Sequence, residues 1–264
     1  MNEEFGTDLT VEQVEITVFG NVKLKNVTSL DKNKKILFKI KDLKMSFASY
    51  VNFKKLINEG HPYFKFLDVD GLEFNIIQNK GEKQSNLDDF IDAFDDGTPG
   101  SGKFRMVVNT MNISNSLFTY TDYNLKTSKV LYFTNLNGKL EDFKIKGSDV
   151  TTNIKSLALK DHRGLEIKEL ASKFTYTKTN IFLDELAMKS VNSEIKGKIQ
   201  LKYIREDFKD FNNKVVFDVQ FDKATIASND LNYFYNEFGT NNKFYVDTHL
   251  TGTLNNFTTE NLTL

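Results

Sequence analysis

Short stretches in which apolar and polar residues alternate recur along the whole chain. In the clearest stretch the apolar residues occupy every second position: Val215, Phe217, Val219 and Phe221. Phe174 and Tyr176 alternate with polar residues in the same way. A period of two is typical of a β-strand with one apolar face and one wet face. The same pattern predicts further strands near 14–18, 21–27, 36–47, 67–77, 110–121, 130–134, 136–145, 151–159, 165–170, 181–189, 193–203 and 244–254.

One strand-and-turn phrase occurs twice in the sequence. Leu136-Asn-Gly-Lys-Leu140-Glu-Asp-Phe143 reappears as Leu250-Thr-Gly-Thr-Leu254-Asn-Asn-Phe257, with Leu, Gly, Leu and Phe at the same four offsets. Such repetition is expected of a sheet that grows by adding similar strands. Turn residues at Asp70-Gly71, at 161–164 and at 179–180 predict tight connections between strands.

Few segments carry a helical pattern. Residues 87–94 place apolar side chains at helical spacing behind the possible caps Ser85 and Asn86. A second helix is predicted after Ser228 and ends before Gly239, and a third, weaker one covers 50–58.

The stretch 95–102, rich in Gly and Asp, is the one obvious flexible linker. We therefore divide the chain into an N-terminal subregion, 1–97, and a continuation of the same sheet, 98–264. With so few helices to cover it, the sheet must fold onto itself or stay open as a curved trough. An open trough that exposes its apolar side needs a ligand or an enclosing shape.

Composition narrows the class of protein. The 264 residues are 39% hydrophobic, which allows a real apolar interior, and 24 Phe and 10 Tyr favour strands. The net charge of −1 provides no basic field for holding nucleic acid or anionic lipid head groups by charge alone. The absence of cysteine excludes disulfides, thiolate metal sites and cysteine nucleophiles. No run approaches the roughly 20 apolar residues that a membrane-spanning helix needs.

Three motifs suggest chemistry, and for each we favour a structural explanation. Gly97-Thr-Pro-Gly-Ser-Gly102-Lys103 resembles a phosphate-binding loop, but Phe104 stands where magnesium needs a hydroxyl, and a helix precedes the loop where a strand should. The three histidines, His61, His162 and His249, are far apart, so we expect neither a shared metal site nor a catalytic triad.

The third motif is an acidic cluster at the first predicted helix. Its members are Asp88, Asp89, Asp92, Asp95 and Asp96. Asp88 and Asp92 lie one helical turn apart and could share a cation, but acidic residues are also favourable in the first turn of a helix. We predict a solvated helix face, no cofactor and no enzymatic activity.

Several segments, taken in order, resemble one family. Phe5–Ile16 is a short amphipathic opening, and Gly20-Asn-Val-Lys-Leu-Lys-Asn-Val27 follows it with the pattern G-x-V-x-L-x-x-V. The other matching segments are Leu67–Phe74, Ser85–Phe90, Ser101–Phe104, Lys160–Leu165, Phe174–Thr177 and Asn229–Tyr235. Together, over nearly the whole chain, they resemble the N-terminal part of the TamB/AsmA-like family of bacterial envelope proteins, the translocation and assembly module group, in its Bacteroidetes form.

The resemblance implies a fold and a location. The expected fold is mainly β: an elongated, curved open sheet, taco-like in section, with an apolar groove and two or three short helices. Members of the family are anchored in the inner membrane by an N-terminal helix and have a long periplasmic body. This sequence lacks that helix and ends early, so we expect a piece of a longer protein whose missing parts reach the inner membrane and an outer-membrane assembly partner. The family provides no catalytic residues to carry over.

The resemblance also implies a function, with one rival. The first hypothesis is a passive conduit for phospholipid between the two membranes, linked to outer-membrane biogenesis and protein secretion, with acyl chains as the bound groups. The predicted groove residues are Val215, Phe217, Val219, Phe221, Phe174, Tyr176, Leu140 and Leu254. The alternative is a protein-binding scaffold or chaperone that pairs with outer-membrane protein strands by β-augmentation.

Overall fold

The chain folds into a single open sheet of thirteen strands that are hydrogen-bonded in chain order. The computed structural model describes residues 8–17, 21–47, 49, 51–52, 54, 61–92, 105–125, 128–234 and 237–263. The strands are β1 (Asp8–Ile16), β2 (Asn21–Leu30), β3 (Ile36–Phe47), β4 (Tyr63–Gln78), β5 (Arg105–Asp122), β6 (Lys129–Lys146), β7 (Asp149–Asp161), β8 (Glu166–Tyr176), β9 (Asn180–Ser190), β10 (Glu194–Lys202), β11 (Val216–Ala227), β12 (Lys243–Thr253) and β13 (Asn256–Thr263). The predicted class, a mainly β open sheet with short helices, is confirmed.

The helices in the described residues are short. They are α1 (Asn86–Asp92), a 3-10 helix (Arg205–Asp210), α2 (Phe211–Lys214) and α3 (Ser228–Leu231). The first predicted helix is therefore found, as α1. The second prediction is correct only for one turn: α3 ends at Leu231, and the side chain of Asn232, the next residue, donates to the carbonyl of Gly239 at 2.7 Å. The predicted helix at 50–58 falls largely outside the described residues.

The chain divides into two compact units, Met1–Ser148 and Asp149–Leu264. Unit 1 contains β1 to β6 and α1, and unit 2 contains the remaining elements. The linker predicted at 95–102 lies outside the described residues. The strands on either side of it, β4 and β5, pair with each other inside unit 1.

Strand direction is regular within each unit. In unit 1 the sequential pairs are antiparallel except β4 and β5, which run parallel. A parallel pair needs a crossover connection, and α1 lies on that crossover. In unit 2 every sequential pair is antiparallel.

Among the described residues, six of the thirteen strands interrupt their alternation with a pair of consecutive polar or glycine residues whose second member has a positive φ and whose neighbours, three positions apart, both face inward. The first such pair in β2 is Lys25-Asn26, between Leu24 and Val27, and we call it a shift pair. Its second residue takes a positive φ, at 49° for Asn26. The second residues of the shift pairs are Asn26, Gly71, Asn115, Asn135, Asp142, Glu185 and Lys223.

The positive φ explains why the apolar residues on both sides of a shift pair face the same way. Side chains of a regular strand alternate, so a spacing of three would place the two apolar residues on opposite faces. One residue in the left-handed conformation returns the side chains that follow to the same face, and it increases the local bend of the strand. Gly and Asn reach this conformation at low cost, and Asp does so more readily than most residues.

In unit 1 the shift pairs of β2, β4 and β5 lie along one line across the sheet. The flanking register pairs place Asn26 beside Lys41 of β3, Lys41 beside Gly71, and Gly71 beside Asn115. A Cβ on Gly71 would lie 3.0 Å from the Cβ of Lys41. Three of these four adjacent strands therefore take a positive φ along one line, and the pairing of β2, β3, β4 and β5 continues on both sides of it.

Two sequence predictions are wrong: the turn at Asp70-Gly71 and the repeated phrase. Asp70-Gly71 is not a turn between strands, because both residues lie inside β4. The repeated phrase is not a structural repeat: 136–143 runs within β6, whereas 250–257 ends β12, turns at Leu254 and Asn255, and begins β13. The turns at 161–164 and before Asn180 are found as predicted.

We expect Lys223→Gly to stabilise the protein. Lys223 is exposed and has φ 56°, a conformation that costs a side-chain-bearing residue about 1–2 kcal/mol. Part of that gain is offset by the backbone entropy of glycine, so the free energy of unfolding should rise by up to about 1 kcal/mol in urea denaturation. The control, Lys39→Gly at an exposed, regularly paired position of β3, should lower it by about 1 kcal/mol. Equal losses in both variants would contradict this account of the shift pairs.

Candidate functional site

In unit 2 one face of the sheet carries continuous apolar rows that run across the strands. The first row consists of direct register partners: Val150, Tyr176, Ile181, Leu201 and Phe217. The second row, two residues further along each strand, consists of Phe174, Leu183, Ile199, Val219 and Leu250. Direct partners lie on the same face, so the ten side chains form one surface.

Unit 1 repeats this arrangement with its own residues. One row consists of Val14, Leu24, Leu43, Val69 and Ile113. Another consists of Val22, Met45, Leu67, Met111 and Leu140. An aromatic row passes through Phe74, Phe118 and Phe133, with ring centroids 5.8 and 6.1 Å apart. Each unit therefore has an apolar face formed by a single layer of strands.

These apolar faces are only partly covered. Of the ten residues in the two rows of unit 2, Val219 is buried at 7% exposure and the other nine are half-buried. The described residues form no second sheet, and the helices contact only the ends of the strands. A filled protein core buries such residues almost completely, so the apolar face keeps accessible surface.

The structure brings five of the eight predicted groove residues onto the apolar face of unit 2. Phe217, Val219 and Phe221 are alternate residues of β11, and Tyr176 and Phe174 occupy the same rows. Leu140 belongs to the apolar face of unit 1 at 8% exposure.

The other two predicted residues lie outside the strand faces. Val215 precedes β11 at the end of α2 and is completely buried. Leu254 lies in the turn between β12 and β13 and is 42% exposed. The sequence analysis missed Leu183, Ile199 and Leu201, because alternation within a strand does not tell which residues of other strands stand beside it.

The opposite face of unit 2 is polar and carries its own charge pairs. Asp218 accepts a hydrogen bond from His249 Nε2 at 2.9 Å and lies 3.5 Å from Lys202 Nζ. The hydrogen bond from His249 and the nearby Lys202 lower the pKa of Asp218. The two faces therefore differ sharply in polarity, as expected of a sheet with one wet side.

At one end of unit 2 the connection between β10 and β11 packs aromatic rings against the apolar face. Tyr203 and Phe208 are 4.6 Å apart, Phe208 and Phe211 are 6.1 Å apart, and Phe211 contacts Phe217 at 5.7 Å. The hydroxyl of Tyr203 donates to the carbonyl of Thr177 at 2.9 Å, and burial raises the pKa of this tyrosine. The short helices thus close the strand ends and leave the middle of the face free.

At the other end of unit 2 a buried carboxylate holds α3 in place. Asp230 accepts hydrogen bonds from the Ser193 hydroxyl at 2.6 Å, from Asn192 Nδ2 at 2.8 Å, and from the Ser190 hydroxyl. The Ser193 hydroxyl in turn accepts from the amide of Ala227 at 2.9 Å. Burial alone would raise the pKa of Asp230, but the hydrogen bonds outweigh it and hold the pKa below its ordinary value.

In unit 1 the buried side-chain amide of Asn86 holds α1 in place in a similar way. The side chain of Asn86 accepts from the amide of Ile77 at 2.8 Å and donates to the carbonyl of Asn75 at 3.0 Å. This fixes the start of α1 over the end of β4, where Phe90 meets Phe38 edge to face at 6.0 Å.

Asp88 and Asp89 of the acidic cluster lie in the first turn of α1, where acidic residues are favourable as the sequence analysis expected. Asp88 accepts from both the amide and the hydroxyl of Ser85 at 2.7 Å, Asp89 pairs with Lys32 at 3.1 Å, and Asp92 accepts from Gln84. Asp95, Asp96 and the loop 97–103 lie outside the described residues.

Among the residues with described positions, no three His, Cys, Asp or Glu side chains are arranged to hold a metal ion. None of the described helices is long and apolar enough to cross a membrane. The sequence matches none of the family models and none of the curated proteins with which it was compared.

We expect Asp230→Asn to lower the free energy of unfolding by about 1.5–3 kcal/mol at neutral pH, the usual range for hydrogen bonds to a charged group. Because the folded pKa of Asp230 lies below the unfolded value of about 3.9, its contribution is complete above that value and is lost as the pH falls through the folded pKa. Denaturation curves from about pH 6 to about pH 3 should therefore converge for the two proteins. The control Asp222→Asn, at an exposed position of β11, should parallel the wild type. A constant difference between wild type and Asp230→Asn at all pH values would contradict the assignment.

Proposed function

We propose that this chain is a β-groove segment of a periplasmic lipid conduit of the TamB/AsmA-like kind. In this proposal it shelters phospholipid acyl chains as they pass between the inner and outer membranes, and it takes part in outer-membrane assembly without catalysing a reaction. The observation that carries the proposal is the apolar face of unit 2, a single layer of strands on which nine of the ten row residues are only half-buried; the apolar face of unit 1 is also a single layer but is buried at Leu43, Leu67, Val69, Met111 and Leu140.

The energy of lipid transfer explains why such a face is useful. A diacyl lipid that leaves a bilayer exposes about 30 methylenes at about 0.8 kcal/mol each, on the order of 20 kcal/mol in total. Free diffusion through water is therefore negligible. A side-chain surface that contacts the chains recovers part of this energy without any covalent step.

The dimensions of the rows suit an acyl chain. Strands lie about 4.8 Å apart, so a row across the five strands β8 to β12 extends about 19 Å. Half of a bilayer's hydrocarbon core is about 15 Å thick. One row in unit 2, such as Phe174, Leu183, Ile199, Val219 and Leu250, is therefore long enough for one extended chain.

The arrangement also favours movement along the rows. Each strand contributes a similar branched or aromatic side chain, so neighbouring positions offer similar contact energy and low barriers between them. The surface is adaptable because dispersion contacts are individually weak and have no preferred direction.

A protein-binding scaffold remains the second candidate, and one observation favours it. β1 pairs on one side only within the described sheet, and its Val14 and Ile16 are 58% and 74% exposed. An edge strand with exposed apolar residues can pair with a strand from another chain.

Leu183→Asn provides the decisive test. We expect the purified wild-type chain to yield phospholipid on extraction with organic solvent, and the variant to retain about tenfold less, because a buried amide costs about 1–3 kcal/mol against hydrocarbon. The matched control is Phe182→Asn, the neighbouring residue on the polar face, which pairs with Thr175 and Gln200. Mass spectrometry of the extract measures the bound lipid, and circular dichroism checks that both variants fold.

Equal lipid in both variants, or a lipid-free wild type, would exclude the conduit. If the lipid-free chain instead bound extended peptides, and a charge at Ile16 abolished that binding, the scaffold would be the better description.

A further inference from the structure

One end of unit 1 collects basic side chains on the polar face of the sheet. Here β2, β4 and β5 begin while β3 and β6 end. The basic residues in this end, which we call the basic end, are Lys23, Lys44, Lys65, Arg105, Lys144 and Lys146. All six are exposed, and each of five consecutive strands contributes at least one.

The register places like charges directly beside each other in this end. Lys23 is the partner of Lys44, and Arg105 is the partner of Lys146. Lys144 lies two residues before Lys146 on β6, so the two side chains are on the same face. Like charges at directly opposite positions destabilise a sheet, and at surface positions they are normally offset by acidic neighbours.

Such neighbours are scarce at the basic end. Among the described residues none of the six basic side chains forms an ion pair, whereas lysines elsewhere, such as Lys139 with Glu141 at 3.0 Å, do. Glu15 is the register partner of Lys23 and Asp68 is the register partner of Lys44, so acidic neighbours offset two of the six cations. Within unit 1 the basic end therefore keeps a net positive charge, which is concentrated at Arg105, Lys144 and Lys146.

The apolar face reaches the same strand ends on its other side. Met106 pairs with Ile145, one residue from the Arg105–Lys146 pair, and Phe47 contacts Phe64 at 5.1 Å. An exposed positive charge and an accessible apolar surface thus lie within one residue of each other. This combination fits an amphiphile that has an anionic group beside its hydrocarbon.

We infer that the basic end binds the anionic head group of a phospholipid whose acyl chains lie on the apolar face of unit 1. The inference rests on the proposed function and adds to it a selectivity for net-negative lipids. Lysine and arginine near a lipid surface contribute about 1 kcal/mol each, and the contribution falls off within a Debye length. The selectivity must therefore weaken with salt, while contact with the acyl chains must not.

The test is lipid capture from equimolar vesicles of phosphatidylglycerol and phosphatidylcholine. Vesicles are removed by flotation, and the lipid that remains with the soluble chain is extracted and counted. We expect at least about fivefold enrichment of phosphatidylglycerol at about 0.01 M salt and a smaller enrichment at about 0.15 M. The triple variant Arg105→Gln, Lys144→Gln, Lys146→Gln should capture both lipids equally, with total lipid nearly unchanged.

The matched control removes the same charge from ion-paired positions elsewhere. Lys139→Gln, Lys168→Gln, Lys189→Gln loses three lysines that pair with Glu141, Glu166 and Glu194, and it should keep the enrichment. Loss of enrichment in this control would reduce the effect to net charge and overturn the inference.

The remaining outcomes separate this inference from the proposed function. Capture of both lipids in equal amounts by the wild type overturns the basic end as a head-group site and leaves the conduit standing, whereas no captured lipid overturns both. Flotation of the chain with the vesicles, without extraction, would make the basic end a membrane-surface contact instead. Inorganic phosphate that titrates the arginine and lysine NMR signals as tightly as the lipid would identify a site for free phosphate, which also overturns the inference.

Discussion

The fold depends on keeping one face apolar while each strand bends. A strand of sixteen or eighteen residues, such as β4 or β5, alternates its side chains, and a simple bend with an odd spacing would turn half of its apolar residues outward. Exposing one Val, Leu, Ile or Phe costs about 1.5–3 kcal/mol. A single left-handed residue costs about 1–2 kcal/mol, and nearly nothing when it is Gly. The shift pair is therefore favourable whenever at least one large side chain lies beyond it.

This solution has a consequence for burial. A sheet that bends as one layer has no opposite layer of its own to fill the inner surface, so side chains such as Leu183 and Ile199 remain half-buried. The short helices and the buried polar groups lie at the strand ends instead. Asn86 fixes α1 at one end of unit 1, and Asp230 fixes α3 at one end of unit 2. The ends are specified by directional hydrogen bonds and the middle by non-directional contacts, which is the division that a carrier of varied hydrocarbon needs.

The strands were predictable because their signal is local: β3 coincides with the alternating run 36–47. A turn was wrongly predicted at Asp70-Gly71 because a tight turn and a shift pair both need a positive φ, and the same two residue types occur in either. The repeated phrase failed for a related reason, since four matching apolar and Gly positions fix neither the register nor the place where a strand ends.

The site was less predictable than the fold. Alternation placed Phe217 and Val219 on one face, but Val215 shared the alternation and lies before the strand, and Leu254, taken from the repeated phrase, lies in a turn. The partners of Phe217 and Val219 on β9 and β10 follow from register, which depends on bulges such as the one at Glu185. The spacing of three around each polar pair was the available signal for those bulges.

The basic end shows the limit of reading charge along a sequence. Its six cationic residues are scattered over unit 1, whose acidic and basic residues are equal in number, and only strand pairing brings them together. Neighbouring strands are about 4.8 Å apart, which is less than the Debye length of about 8 Å at physiological ionic strength. A head group that moves from β2 towards β6 would therefore stay within reach of the next cation before it leaves the last. In the proposed conduit, the apolar rows and the basic end would then guide the two parts of one lipid in the same direction, across the strands.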